Sequence, residues 1–139
     1  MNRDKNTDQE IKKIYELKNI AVVGMSKNFE KPSNFVPQYL SSKGFNIIPV
    51  NPTTEEIGGK KSYKQVSEIK DPIDIVQIFR KSEDVPPVVE DALMKKGIKV
   101  IWMQEGIYNQ IAEEKALDNN LIVVYNRCMM EEHKRLFGK

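Results

Sequence analysis

The chain has 139 residues, the usual size of one domain, and 40% of them are hydrophobic while 30% are charged. The net charge is +2, from 22 basic and 20 acidic side chains, which argues against a nucleic-acid partner. A single cysteine excludes an intrachain disulfide, and neither a signal sequence nor a membrane-spanning stretch is visible. These features predict one cytoplasmic domain over residues 1–139, without a membrane partner.

Short apolar runs rich in Val and Ile predict the strands of a sheet. The runs are apolar on both faces, which is typical of parallel strands covered by helices on both sides. The predicted strands are residues 19–24, 45–50, 73–79, 98–103 and 120–125.

Helical patterns separate the predicted strands. Thr7 and Glu10 have the spacing of a capping box, so the first helix begins there and is expected to pack on the domain. Asn34 as N-cap would place Pro37 in the first turn of the second helix, and Gly44 would end that helix. The predicted helices are residues 7–18, 34–44, 84–97, 109–119 and 129–137, with a short helix or turn over 62–69.

The alternation of strands and helices predicts the fold class. Helices between successive strands imply right-handed crossovers and therefore an α/β fold. We expect a single doubly wound domain with a five-stranded, mainly parallel sheet and helices on both faces. Ligands bind such sheets beyond the carboxyl ends of the strands, so the segments after each strand are the candidate site.

The loop after the first strand has the composition of a phosphate site. Gly24 lets the backbone approach a ligand closely, and a side chain there would fill the space where backbone and phosphate meet. Ser26 offers a hydroxyl, Lys27 and Lys31 offer charge, and a helix opening near Ser33 offers free N–H groups. The alternative is a plain connection from strand to helix.

Two nucleotide-binding motifs are missing from the sequence. The dinucleotide fingerprint needs G-x-G-x-x-G, and only Gly24 matches it. Asn51 and Pro52 stand where that motif requires an acid for a ribose hydroxyl. A Walker A sequence is absent too, so both NAD and a P-loop nucleotide are disfavoured.

Several segments together resemble a known family. In order, they are "VVGMSKNFEKPS", "IIPVNPTTEEIGGKKSYKQVSEI", "DIVQIFRKSEDVPPVVEDAL", "IKVIWMQEGIYN" and "NRCMMEEHKRL". Over residues 18–137 the chain resembles the small stand-alone CoA-binding proteins, which are similar to the CoA-binding domain of the succinyl-CoA synthetase alpha subunit. The resemblance implies a Rossmann-like fold that holds coenzyme A, or an acyl-CoA, across the carboxyl ends of the strands.

The resemblance also implies which residues contact CoA. The loop after the first strand would hold the phosphates, "PVNP" would line the adenine side, and Phe79 and Arg80 would flank the nucleotide. The turn at Gln104 would lie near the pantetheine arm, with the acid Glu105 at the thiol end. Together with Lys27, the expected cofactor-binding residues are Gly24, Met25, Ser26, Lys31, Pro32, Ser33, Pro49, Val50, Asn51, Pro52, Phe79, Arg80, Gln104, Glu105, Gly106, Asn126, Arg127 and Cys128.

Single residues in these segments also have ordinary structural explanations. Arg80 and Arg127 are equally well explained as solvated surface arginines. Cys128 suits a small buried position, although a mixed disulfide with the CoA thiol is physically possible. We expect His133 at the surface or a helix end and Trp102 in the core. Because the sequence has one histidine and one cysteine, no metal site is expected.

Two classes of function are compatible with these features. The favoured class is a binding module that holds CoA or an acyl-CoA without catalysing a reaction alone, in a regulatory or carrier role. The alternatives are an NAD(P)-binding oxidoreductase-like domain and a subunit of an acyl-CoA ligase. No catalytic residue is predicted, because nothing resembles a nucleophile paired with a base. The sequence leaves open a homodimer or an unidentified protein partner.

Overall fold

The computed structural model describes residues 1–138. In chain order its elements are α1 (Asp8–Ile14), β1 (Asn19–Val23), α2 (Pro32–Ser42), β2 (Asn46–Val50), β3 (Glu56–Ile57), β4 (Lys60–Lys61), β5 (Ile75–Ile78), α3 (Val85–Leu93), β6 (Val100–Met103), α4 (Gln110–Asp118), β7 (Ile122–Val124) and α5 (Met129–Phe137). Short 3-10 turns lie at Val66–Glu68 and Ser82–Asp84. Among these helices none is both long and apolar enough to cross a membrane.

The main sheet has five strands in the order β2-β1-β5-β6-β7. Every neighbouring pair in it is parallel. The predicted α/β fold with a five-stranded sheet is therefore confirmed. The chain steps from β1 outward to β2 and then crosses to β5 on the other side, so the strand order reverses beside β1.

The two faces of the sheet carry separate hydrophobic clusters. Side chains alternate along each strand, so in β1 Ala21 and Val23 point to one face while Ile20 and Val22 point to the other. Helices α3 and α4 cover the first face, and α1, α2 and α5 cover the second. Trp102 is wholly buried on the second face, as the sequence predicts. Burial on both faces explains why the strands read as continuous apolar runs.

The N-terminal helix has the predicted capping box. Thr7 Oγ1 accepts the Glu10 N–H at 3.1 Å, and Glu10 Oε1 accepts the Thr7 N–H at 3.1 Å. The helix is shorter than predicted and ends at Ile14 instead of residue 18. Its buried face packs on the sheet through Ile11 and Ile14.

Helix α2 begins earlier than predicted. Lys31 is its N-cap and Pro32 its first residue, so the prediction of Asn34 as N-cap is wrong. Asn34 is instead buried, and its Nδ2 donates to the Ser26 carbonyl at 2.7 Å. Pro37 consequently lies inside the helix and not in its first turn. Gly44, at φ +95, follows the helix as expected.

A small hairpin was not predicted. Strands β3 and β4 pair antiparallel around Gly58 and Gly59, which have φ angles of 58 and 78. Two consecutive glycines with positive φ form the tight turn that two-residue hairpins need.

Helix α3 is shorter than the predicted helix over 84–97, because it ends at Leu93.

Candidate functional site

The carboxyl ends of β1 and β5 meet at the point where the strand order reverses. The Gly24 N–H donates to the Val50 carbonyl at 2.8 Å, and the Phe79 N–H donates to the Val23 carbonyl at 2.9 Å. The segments that follow β1 and β5 then separate to opposite faces of the sheet. Such a point leaves an open crevice in which ligands of doubly wound sheets bind.

Gly24 is required by the chain itself. A Cβ atom at this position would lie 2.6 Å from the Phe79 carbonyl oxygen, and the residue has a left-handed φ of +85. We expected the space beside Gly24 to be needed for a phosphate. The structure corrects that reason, because the atom occupying the space belongs to the backbone after β5.

A hydrogen-bond network fixes the loop after β1. The Ser26 N–H donates to the Ser33 carbonyl at 3.2 Å, and the Ser26 hydroxyl oxygen accepts the Asn28 N–H at 3.0 Å. Pro37 explains why the Ser33 carbonyl accepts a bond from the loop. A proline has no N–H to donate to the residue four positions earlier, so that carbonyl is left for another donor. The Ser26 hydroxyl hydrogen stays available to donate to a ligand.

Asn51 connects the loops after β1 and β2. Its Nδ2 donates to the Met25 carbonyl at 2.9 Å, and its Oδ1 accepts the Thr53 N–H at 2.9 Å. Met25 and Val50 are both buried, with 2% of their surface exposed. Asn51 therefore ties the two loops together through its side chain.

Most of the predicted site residues line two joined cavities. The main cleft has a volume of about 710 Å³ and the adjoining cavity about 630 Å³, and they share Lys31, Ser33 and Phe79. The predicted residues lining the main cleft are Lys31, Pro32, Ser33, Phe79, Arg80, Gln104, Glu105, Gly106 and Cys128. Those lining the adjoining cavity also include Gly24, Met25, Ser26, Lys27 and Asn51. Val50 and Pro52 line a smaller cavity beside Arg80. Pro49, which precedes Val50 in β2, lines a separate cavity and not the main cleft.

The cleft has a cationic end and a neutral-to-acidic end. Lys31 is the N-cap of α2, whose N-terminus favours anions, and Arg80 lies beside Gly24. Lys81 also lines the cleft. Within residues 1–138 the N–H of Ser33, in the first turn of α2, has no hydrogen-bond partner. Arg80 is only loosely held, 3.6 Å from the half-exposed carboxylate of Asp84, so it is free to turn towards a ligand. The prediction missed Lys81, although its position directly after Arg80 was a usable signal.

The opposite end of the cleft is organised by a buried glutamine pair. Gln77, inside β5 and fully buried, donates its Nε2 to Gln104 Oε1 at 3.0 Å. The same Gln104 oxygen accepts the Met129 N–H at 2.9 Å. The side-chain atom of residues 1–138 that is wholly buried without a partner is Gln77 Oε1. Gln104 is 4% exposed, and its Nε2 makes no hydrogen bond within residues 1–138. That Nε2 is therefore a fixed hydrogen-bond donor facing the cleft. Sequence reasoning missed Gln77, which reads as one polar residue in an apolar strand.

Arg127 is buried and forms ion pairs with two carboxylates. Its Nε lies 3.1 Å from Asp4 Oδ2, and its Nη1 lies 2.7 Å from Glu132 Oε1. Burial opposes the charge, but the hydrogen bonds of Glu132 and Asp4 outweigh it and raise the pKa of Arg127. The alternative of a solvated surface arginine is therefore wrong. Arg127 does not line the main cleft and instead anchors the N-terminal segment.

Asn126 joins that N-terminal segment to the turn after β6. It has a φ of 53, its Oδ1 accepts the Gly106 N–H at 2.7 Å, and its Nδ2 donates to the Met1 carbonyl at 3.1 Å. A further cavity of about 340 Å³, the N-terminal cavity, lies here, lined by Arg3 and by the acids Glu105 and Glu131 among others. It shares Glu105 and Cys128 with the main cleft.

Cys128 is half-buried at the neutral end of the cleft, where α5 begins. It is therefore not the fully buried small residue that the sequence suggested as one explanation.

His133 lies further along α5, away from the cleft. Contrary to the expected surface position, its ring packs against Tyr15 and Tyr39, with ring centroids 5.3 and 5.5 Å away. Among residues 1–138 no group of three or more His, Cys, Asp or Glu side chains is placed to hold a metal ion.

The fold and the cleft define a doubly wound α/β domain with its crevice at the switch point of the sheet. The family model described as "CoA binding domain" matches residues 18–134. The chain belongs to this CoA-binding domain family.

Similar proteins include both small chains and longer ligases. The uncharacterized protein YneT of Bacillus subtilis is 38% identical over 125 residues, covering 89% of this chain and 92% of that protein. The ADP-forming acetate–CoA ligase II of Archaeoglobus fulgidus is 32% identical over 138 residues, which are 95% of this chain but 19% of that ligase. A hypothetical protein from Pyrococcus horikoshii has a solved structure with a TM-score of 0.92 and 44% identity, covering 96% of this chain and 94% of that one.

Proposed function

We propose that the protein binds CoA or an acyl-CoA in the main cleft and does not convert it alone. The observation that carries the proposal is the polarity of the cleft. Lys31, Arg80 and the N-terminus of α2 offer positive charge at one end, where the nucleotide phosphates would bind. Gln104 and Cys128 form a neutral end for the pantetheine arm and thiol, and Glu105 would repel a phosphate there. A regulatory or carrier role would follow from binding without turnover.

Calorimetric titration with CoA, NAD, NADP and ATP tests the choice of ligand. We expect CoA to bind most tightly and its affinity to weaken as salt rises, because phosphate charge contributes and salt screens it. Tighter binding of NAD than of CoA would favour the oxidoreductase-like alternative and contradict the proposal.

A ligase assay tests the second half of the proposal. The matched region makes up 19% of the Archaeoglobus fulgidus ligase, so most of that ligase has no counterpart in these 139 residues. We expect the purified chain to make no acyl-CoA from a free acid, CoA and ATP or GTP. Sustained turnover by the chain alone would overturn this expectation.

Replacing Lys31 tests the phosphate end of the cleft. Charge-assisted hydrogen bonds contribute on the order of 1.5–3 kcal/mol, so Lys31→Ala should weaken CoA binding by roughly tenfold or more. The melting temperature without ligand should hardly change, because the Lys31 side chain is exposed. The matched control is Lys96→Ala, an exposed lysine that does not line the cleft, which should bind as the parent does. Parent-like affinity in both Lys31→Ala and Arg80→Ala would mean that the loop is a plain connection.

A further inference from the structure

Side-chain hydrogen bonds hold the backbone on both sides of Cys128. The peptide before it is fixed by Trp102, whose Nε1 donates to the Arg127 carbonyl at 2.8 Å. The residue after it is fixed twice, since the Met129 N–H donates to Gln104 Oε1 at 2.9 Å and the Met129 carbonyl accepts the Tyr15 hydroxyl at 2.7 Å. Side chains from β6, from the residue directly after β6 and from the end of α1 therefore fix the backbone on both sides of Cys128.

Cys128 packs at the edge of the hydrophobic cluster on the second face, and its sulfur makes no hydrogen bond within residues 1–138. Cys128 is the N-cap of α5, but its side chain makes no capping hydrogen bond. The residue is half-buried and lines both the main cleft and the N-terminal cavity, so ligands can reach it from the cleft. A thiol that only filled core space would be enclosed by apolar side chains.

Gln104 independently indicates a ligand at this end of the cleft. Only 4% of its surface is exposed, and its Oε1 accepts hydrogen bonds from Gln77 Nε2 and from the Met129 N–H. Its unpartnered Nε2 faces the same cleft that Cys128 lines. This Nε2 is not one of the wholly buried atoms that lack a partner, so it reaches the cleft and is available to donate to an acceptor such as an amide carbonyl. The pantetheine arm of CoA carries amide carbonyls close to its thiol.

We propose that Cys128 is a site of covalent modification, where its sulfur forms a mixed disulfide with the thiol of CoA bound in the cleft. The inference rests on the proposed function, because the cleft must first hold a CoA group. The oxidant is CoA disulfide, the symmetrical dimer of the cofactor. Cys128 would then both register the redox state of the CoA pool and retain the cofactor.

The reaction is a thiol–disulfide exchange and balances without another reagent. The Cys128 thiolate attacks one sulfur of CoA disulfide, and a new bond forms between Cys128 Sγ and that sulfur. The original S–S bond breaks, and the second CoA leaves as a thiolate that takes up a proton from water. One disulfide replaces another. An external dithiol reverses the reaction.

Intact-mass measurement with CoA disulfide tests the proposal. The full chain is incubated at about pH 8, where an ordinary thiol is partly ionised. We expect a gain of one CoA less two hydrogens, removed by dithiothreitol and absent in Cys128→Ser. Glutathione disulfide should react more slowly by roughly tenfold or more, because binding in the cleft raises the effective concentration of CoA disulfide. Desulfo-CoA, which lacks the thiol, should suppress the reaction of the parent protein.

The outcomes separate this inference from the proposed function. If CoA binds by calorimetry but no adduct forms, the modification is ruled out and the binding function stands. If the adduct forms equally fast with glutathione disulfide and desulfo-CoA does not slow it, the cysteine is merely reactive and the inference fails. If calorimetry detects no CoA binding, the proposed function fails and the inference fails with it. The desulfo-CoA arm uses the parent protein, so it does not depend on the folding of a variant.

Discussion

At the scale of single residues, Gly24 and Gly44 have similar backbone angles but different surroundings. Their φ angles are +85 and +95, and a Cβ would meet the Phe79 carbonyl at 2.6 Å at Gly24 but nothing within 4 Å at Gly44. A left-handed backbone costs an ordinary residue about 1–2 kcal/mol. We expect Gly44→Ala to lose about that much unfolding free energy, and Gly24→Ala to lose clearly more, in urea denaturation.

The pair of glycine variants isolates the contact with Phe79. Both variants carry the same conformational penalty, so the difference between their unfolding free energies reports the clash at β5. Equal losses would show that the backbone after β5 moves aside at little cost. In that case the crevice would be more pliable than the distance between Gly24 and Phe79 suggests.

Some single residues were predictable and others were not. The cationic character of Lys31 and the small size of Gly24 are visible in a short segment, and both lie at the cleft. The role of Arg127 was hidden, because its partner Asp4 is 123 residues away in the sequence. A local pattern carries no information on such a contact, and the same applies to Gln77 with Gln104.

At the scale of elements, α2 contains a proline that supports the loop before it. Pro37 cannot donate to the Ser33 carbonyl, which accepts the Ser26 N–H instead. In Pro37→Ala the new N–H would compete for that carbonyl. We expect the helix to stay intact or gain stability, the Ser26 amide to exchange its hydrogen several-fold faster, and CoA to bind more weakly. Amide hydrogen exchange and calorimetry measure these effects.

The control for this variant is Pro86→Ala. Pro86 lies in the first turn of α3, where an N–H has no partner within the helix, so the substitution frees no competing donor. It should leave exchange at Ser26 unchanged. Unchanged exchange at Ser26 in Pro37→Ala as well would show that the helix proline does not support the loop.

The contact between α2 and α5 should depend on pH. His133 Nδ1 lies 2.8 Å from the Tyr39 hydroxyl, and burial, followed by the charges of Lys43 and Lys18, lowers the pKa of His133. The unfolded chain therefore takes up the proton first, with a pKa of about 6.5. The stability due to neutral His133 is complete above that pH and is lost as pH falls through the lower folded pKa. Urea denaturation from about pH 7.5 to about 5.5 should show this fall.

His133→Gln provides the comparison. Glutamine can still bond to Tyr39 but does not titrate, so the variant should have a flatter stability profile over the same range. The range stays above the pKa of ordinary carboxyl groups, which keeps acid denaturation out of the comparison. A parallel fall in parent and variant would assign the pH dependence to another group.

The elements themselves were largely predictable. Each strand of the main sheet overlaps its predicted run, because burial on both faces makes the whole run apolar. Helix boundaries were less accurate, since Asn34 looks like an N-cap but is buried beside Ser26. The hairpin at Gly58 and Gly59 was missed although two adjacent glycines are a hairpin signal, because strands of two residues are too short for a periodic pattern.

At the scale of the whole molecule, one buried ion pair joins the two ends of the chain. Asp4 and Arg127 have side chains that are 5% and 7% exposed, and breaking such a pair leaves an unpaired buried charge. We expect Asp4→Asn to lower the free energy of unfolding by on the order of 3 kcal/mol, measured by urea denaturation. The loss should be smaller than for a fully isolated pair, because Arg127 keeps Glu132.

Asp8→Asn is the matched control. Asp8 also pairs an N-terminal carboxylate with a C-terminal arginine, Arg135, at 2.9 Å, but the two side chains are 62% and 43% exposed. Solvent screens such an exposed pair, so Asp8→Asn should lose clearly less stability than Asp4→Asn. Similar losses in Asp4→Asn and Asp8→Asn would mean that burial of the first pair does not matter.

The position of the cleft follows from the order of the strands, which the sequence only partly reveals. Alternating strands and helices predict a parallel sheet, and a parallel sheet places the segments after its strands at one edge. The sequence therefore identified the segments that line the cavities. It could not show which side chains of a segment face the ligand, since Lys31 and Arg127 are both basic but only Lys31 lines the cleft.

The hydrogen bond between Trp102 and the Arg127 carbonyl makes tryptophan fluorescence sensitive to events in the cleft. Trp102 is the single tryptophan of the chain, wholly buried, and its indole N–H is bonded to the carbonyl of the peptide that leads into Cys128. Indole emission responds to the polarity and charge around that N–H. Occupation of the cleft beside Cys128 should therefore change the intensity of tryptophan fluorescence, while unfolding should shift the emission to the red. Binding and unfolding can then be followed in the same cuvette, without an attached dye.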